Sequence, residues 1–102
     1  MSGLTIHVTG RVQTSECRFS PNGKPVVVIE LAQPDGHTIR AQHHYPDNSG
    51  SSALAARALC SRLRDQQVAF DATNPRFKAR RMDCEALHIT TSHTPSTRKD
   101  LE

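Results

Sequence analysis

Six histidines, three cysteines and ten carboxylates are the groups in this chain that could hold a metal ion or move a proton. Their spacing argues against either task. His7, His37, His43, His44, His88 and His93 are scattered along the chain. The adjacent His43 and His44 point to opposite faces of any strand, so they cannot grip one ion together. Cys17, Cys60 and Cys84 form an odd, widely spaced set that fits neither a disulfide framework nor a zinc site and suits a reducing compartment. No helical His pair, no phosphate-cradling glycine loop and no nucleophile motif occurs. The expectation is a binding protein rather than an enzyme, with no metal and no cofactor.

Cations and rings are the groups left to do chemistry. Arg76, Lys78, Arg80 and Arg81 crowd one short segment with no acid among them, the nearest carboxylates in sequence being Asp71 and Asp83. Such charges repel one another within the physiological Debye length of ~8 Å unless an anion is nearby. A solvated hairpin tip is the plain alternative. Arg11 and Arg40 could extend the same field, whereas Arg57, Arg62 and Arg64 belong to a helix and face solvent or a partner. Recognition of an unpaired nucleic-acid strand needs cations along the phosphates and rings on which bases stack. Of four aromatic residues, Phe19 follows Arg18, Phe77 lies between Arg76 and Lys78, and Tyr45 follows His43 and His44. Phe70 alternates with Val68 and Ala72 and reads as core. Phe19 either plugs a barrel end or stacks bases, Tyr45 is open to both roles, and Phe77, read as a loop residue, has the weakest claim to burial.

The elements that must position these groups can be read from period and punctuation. Leu4, Ile6, Val8 and Val12 share one parity of a half-buried strand, and Gly10 within it suggests a bulge or sharp bend. Ser20 to Pro25 is a turn in which Asn22-Gly23 tolerates positive φ. Val26 to Leu31 is an apolar strand, Pro34-Asp35-Gly36 a second turn, and His37 to Tyr45 a more polar alternating strand. Pro46 to Ser51 is a loop, with Ser51 or Ser52 capping a helix over Ala53 to Arg64 whose apolar stripe is Ala55, Ala56, Leu59, Cys60 and Leu63. Val68 to Thr73 is a fourth strand, broken by Asn74-Pro75. Ala79 to Thr90 is a fifth, with an irregular residue near Glu85 or Ala86 where its apolar parity changes. One domain of three strands, a helix and two strands is expected over residues 1–91, with a disordered polar tail over 92–102. The closing Leu101-Glu102 matches a dipeptide left ahead of a purification tag.

Composition sets the scale. At 102 residues with 35% hydrophobic content and no Trp, the chain supports one thin aliphatic core. A formal charge of +3 is only mildly basic. No apolar run approaches the ~20 residues of a membrane span. The start, Met1-Ser2-Gly3, has neither a basic n-region nor an apolar h-region, so the expected location is the cytoplasm, away from membranes.

The stretch Gly10 to Ala32 carries a resemblance. Its order is strand, Gly-Arg-Val, a short polar stretch, Arg18-Phe19, Pro21-Asn22-Gly23, then a β-branched strand ending Leu31-Ala32. It resembles the first hairpin of the family of bacterial single-stranded DNA-binding proteins and primosomal replication protein N. The resemblance implies an OB-fold, a five-stranded Greek-key barrel with one helix between strands three and four. It also implies sequence-nonspecific binding of single-stranded DNA in replication or restart, with a mobile element or phage as one setting. By position it assigns Arg18, Phe19 and Lys24 to the first hairpin. Arg40, His43 and Tyr45 fall on the third strand, where the family has a Trp or another stacking residue. Arg76, Phe77, Lys78, Arg80 and Arg81 fall in the last hairpin, which in the family wraps the strand. Family members form dimers or tetramers in part through the first strand, where Thr5, His7 and Thr9 would fit a homodimer. Partners would be single-stranded DNA and replication proteins of the primosome. Two departures stand out: the last hairpin is short, as in the compact form, and the acidic tail ending in Pro-Phe is absent. The rival readings are an OB-fold adaptor for a protein partner and an RNA-binding OB module.

Overall fold

The computed structural model describes residues 5–91. Leu4, expected in the first strand, and the expected tail over 92–102 lie outside them. Five strands and one helix follow in the order β1 (Thr5–Phe19), β2 (Pro25–Ala32), β3 (Thr38–His44), α1 (Gly50–Leu63), β4 (Gln67–Phe77) and β5 (Arg81–Thr91). The strands close into a barrel in the order β1-β2-β3-β5-β4. β3 and β5 run parallel while the other pairs are antiparallel. The chain is therefore mainly β, with the strand order and helix position of an OB-fold.

β1 is a single long strand that runs through the polar stretch to Arg18-Phe19. Its first half, Thr5 to Arg11, pairs with β4, and from Val12 onward it pairs with β2. One strand thus serves two neighbours, as closing so small a barrel requires. The extra residue sits at Gln13, between Val12 and Thr14, not at Gly10. Gly10 has a different task. A Cβ there would come within 2.7 Å of Leu31 Cδ2, so the missing side chain lets β1 cross closely over the core.

Both turns form as their residues dictate. Gly23 takes φ +81° and donates to the Ser20 carbonyl at 2.8 Å. Gly36 takes φ +90° and donates to the Gln33 carbonyl at 3.0 Å. The helix begins earlier than expected, capped by Ser49 rather than Ser51 or Ser52, whose side chain accepts from the Ser52 N–H at 3.1 Å. Asp47 braces this cap, accepting from the Ser52 hydroxyl at 2.6 Å and the Ser49 hydroxyl at 2.7 Å. Those bonds hold its carboxyl down at about 2. A depressed carboxyl stabilises the fold above the ordinary carboxylate range and loses that contribution as pH falls through it.

The core is aliphatic, as the composition requires. Val8, Val12, Val27, Ile29, Leu31, Ala41, Val68, Ala72, Met82, Cys84 and Ala86 fill the barrel around Phe70, which is 1% exposed. Ala56, Cys60 and Leu63 of α1 are buried in the same cluster. The Ser15 hydroxyl donates to the Cys60 carbonyl at 2.9 Å, which ties the helix to β1. Ala55, placed in the stripe by spacing, is exposed.

Leu31 is fully buried, so its side chain has no free space into which to swing. Gly10→Ala is expected to cost about 1–3 kcal/mol of stability, measured by urea unfolding. An unchanged midpoint would mean that Leu31 repacks freely.

Candidate nucleic-acid interface

Along β4 the sequence Asn74-Pro75 inserts one extra residue instead of ending the strand. Thr73 pairs with Glu85 and Arg76 with Asp83, so Asn74 and Pro75 together oppose Cys84. Asn74 accommodates this with φ +52°. Because strand side chains alternate, the insertion exchanges the two faces beyond it. Arg76 is aimed outward beside Asp83, and Phe77 goes to the inward side beside Met82. Phe77 is therefore a strand residue, not a loop residue. It reaches past the end of the packed core and is 71% exposed. The hairpin itself is tight: Lys78 and Arg81 bond each other's backbone across Ala79-Arg80.

Outside the barrel, Arg40 of β3 stands opposite Asp83 of β5, which in turn stands opposite Arg76 of β4. Arg40, Gln42, Asn74, Arg76, Arg81 and Asp83 line a polar hollow of about 210 Å³ with Cys84 and Glu85. The cations of this face are not free of acids, contrary to the sequence pattern. Asp83 Oδ2 lies 3.2 Å from Lys78 Nζ, and its Oδ1 lies 3.0 Å from Arg81 Nε, close enough for Coulomb attraction though too oblique for a hydrogen bond. Burial alone would raise the Asp83 carboxyl, but Lys78 and Arg81 outweigh it and hold the group below its ordinary value. The folded chain thus gains from the charged carboxylate at neutral pH and loses that gain as pH falls through the carboxylate range. Arg40 pairs loosely with Glu30 at 3.8 Å and Arg18 closely with Glu16 at 2.7 Å. Arg76 and Arg80 make no ion pair among the described residues.

The expected site residues divide between two ends of the barrel. Arg40, Arg76, Phe77, Lys78, Arg80 and Arg81 gather around the β4–β5 hairpin and the start of β3. Arg18, Phe19, Lys24, His43 and Tyr45 lie toward the helix-capped end. Arg18 faces outward there on β1. Lys24 belongs to the β1–β2 turn, its backbone N–H donating to the Ser20 hydroxyl at 3.1 Å. Phe19 is 46% exposed beneath Arg57, whose guanidinium carbon is 5.7 Å from the ring centre. Arg57 of α1 is thus engaged with a ring rather than merely solvated. His43 is half-buried and its Nδ1–H donates to the Ala86 carbonyl at 2.9 Å. Tyr45 meets the His43 ring edge-on with centroids 5.2 Å apart and packs against the core. Burial pushes its hydroxyl pKa up, with Cys17 adding to the effect. Neither ring joins Phe77.

Sequence reading missed Asp83 as a member of the cluster, although Arg81, Asp83 and Glu85 share one strand parity that announces it. It also missed Gln33, Ile39 and Met82, which border the Phe77 ring. Among the described residues no three His, Cys, Asp or Glu side chains come together as a metal site. Burial, with Asp83 and Glu85, pushes the Cys84 thiol up to about 11, so it stays protonated. No helix of the described residues is long and apolar enough to cross a membrane. No family model matches the chain, and no curated protein matches it either.

Asp83→Asn leaves Lys78 and Arg81 without their counter-charge. The variant is expected to elute from a heparin column at higher salt than the unsubstituted protein, and equal elution would show that the pairing withholds nothing from a polyanion.

Proposed function

We propose that this protein binds single-stranded DNA without sequence preference, serving replication or restart in the cytoplasm. The observation that carries the reading is Phe77, an aromatic ring 71% exposed at the margin of a barrel face where Arg40, Arg76, Lys78, Arg80 and Arg81 collect. Exposing so large an apolar group has a hydration cost that a stacked base would remove. Phosphates would run past Arg76 and Arg80, which have no acid to release, and past Arg40, whose acid is loosely held. Displaced counterions would supply most of the affinity. The helix-end residues Arg18 and Lys24 could lengthen the footprint across β2 and β3, whereas Tyr45 and His43 act as packing. A homodimer joined through Thr5, His7 and Thr9 would double the surface, with replication proteins as further partners.

The test is a salt titration with labelled oligo-dT followed by anisotropy. Binding at about 50 mM salt that falls steeply as salt rises is expected. Phe77→Ala should weaken it by about 1–3 kcal/mol without lowering the melting temperature. Replacing Arg76 and Arg80 with Ala should flatten the salt slope by about one to two units. Absence of binding at low salt would favour the adaptor reading, and stronger binding of oligo-U would favour an RNA ligand.

A further inference from the structure

Among the described residues nothing caps the barrel end opposite the helix, and the composition of that end is unlike that of the outer face. The Phe77 ring borders two adjoining hollows there, of about 290 Å³ and 420 Å³, both of which also touch Gln33, Ile39 and Met82. Ile6 and Val8 of β1 continue the apolar floor. Lys78 and Arg81 stand on the rim. The smaller hollow is at the low end of the ~300–1,000 Å³ range of ligand clefts. Its size suits one planar group.

We infer that this open end is a single-base pocket: one unpaired nucleobase lies against Phe77 over Ile39 and Met82, with its flanking phosphates on Lys78 and Arg81. The inference rests on the proposed binding of single-stranded DNA and says where a base goes. Three features select this occupant. The Asn74-Pro75 bulge turns Phe77 toward this end rather than onto the outer face, so a base stacked on the ring is carried over the mouth. Gln33 lies beside the floor, its Nε2 close to the position of Gly10, and its side-chain amide has no hydrogen-bond partner among the described residues. An amide both donates and accepts, so it could meet the edge of any base. A cationic rim around an apolar floor also complements a nucleotide, whose base is flat and whose phosphate is an anion. Lys78 and Arg81 hold Asp83 in the free chain, and a phosphate can take that carboxylate's place where an apolar protein side chain cannot. Met82 adds a polarisable thioether under the base.

The experiment follows the Ile39 and Met82 methyl groups by NMR while anisotropy follows binding of oligo-dT and of an abasic oligomer of equal length. Upfield ring-current shifts of both methyls with oligo-dT, absent with the abasic oligomer, are expected. Ile39→Phe, which fills the hollow from below, should weaken oligo-dT at least tenfold and leave the abasic oligomer unchanged. Oligo-dT binding with both methyls unmoved would overturn the pocket while leaving the proposed function standing, because the base would then rest on the outer face. Equal methyl shifts with the abasic oligomer would also overturn it, as would methyl shifts that follow protein concentration alone, which mean a second copy occupies the mouth. No binding of oligo-dT at any salt removes the function and the pocket together.

Discussion

A strand shows alternate side chains to two faces, and in a closed barrel one face is core and the other is solvent. Each extra residue in a strand therefore exchanges inside for outside beyond it. Three such insertions occur here: at Gln13 in β1, at Asn74-Pro75 in β4, and at His88-Ile89 in β5 opposite Phe70. The first moves the inward set from Val8 and Val12 to Ser15, Cys17 and Phe19, which is why Ser15 can reach Cys60 of the helix. The second separates Arg76 from Phe77. The third uses His88 at φ +56° and brings Ile89 back against the core, while Leu87 is left 44% exposed. Positions of rings and charges in this protein are consequences of where those residues were inserted.

That sorting has an electrostatic result. Rings fall on the inward parity (Phe19, Tyr45 and Phe77) and cations on the outward one (Arg18, Arg40, Arg76 and Arg81). A wall of interleaved rings and charges is consequently not what forms; the two kinds meet where the barrel ends. On the outer face, acids also take the outward parity, so Glu16, Glu30 and Asp83 each sit within reach of a cation. Exposed pairs of this type contribute about 0–1 kcal/mol, so they restrain the fold weakly. A phosphate can exchange for such a carboxylate at little cost in stability. Pairing lowers the baseline charge of the face. It also sets a rank among the cations, with Arg76 and Arg80 available first and Lys78 and Arg81 only after Asp83 gives way.

Much of the architecture was legible in the sequence because it rests on local rules. Strand-turn-strand punctuation at Asn22-Gly23 and Pro34-Asp35-Gly36, the helix composition and the alternation of Val68, Phe70 and Ala72 all point to one answer. What was not legible depends on pairing across the barrel. Asn74-Pro75 reads as a strand end because proline lacks a ladder donor, yet at a bulge that donor is not needed. In β5, the parity change was expected near Glu85 or Ala86, but Ala86 remains buried at 1% and the irregular residue is His88. Leu87 is 44% exposed despite its side chain, because hydrophobicity does not reveal which side of a bulge a residue lies on. Asp83 was set apart from the basic cluster by sequence distance, although the β4–β5 register sets it directly across from Arg76. Of the candidate site, the hairpin half was readable from composition. The helix-end half was not, because the sequence leaves Tyr45 open to core or stacking, and its packing against the core and His43 follows from how the barrel closes.

The two ends of the barrel also obey different demands. At one end Ala56, Cys60 and Leu63 seal the core, and Tyr45 and Cys17 pack against that seal. Groups there are committed to stability: the Ser15–Cys60 bond, the His43–Ala86 bond and the braced Ser49 cap all hold backbone or helix in place. Among the described residues no helix closes the other end. There Met82 is 9% exposed, and Phe77 extends beyond it almost unsupported. Without the Asn74-Pro75 insertion, alternation would turn residue 77 onto the outer face. The insertion instead keeps Asn74 at φ +52°, a left-handed conformation that asparagine tolerates. An insertion whose effect is to hold an apolar ring in water is not explained by packing. It is explained if something from outside the chain covers the ring, and the cations beside it make an anionic strand with flat bases the best chemical match.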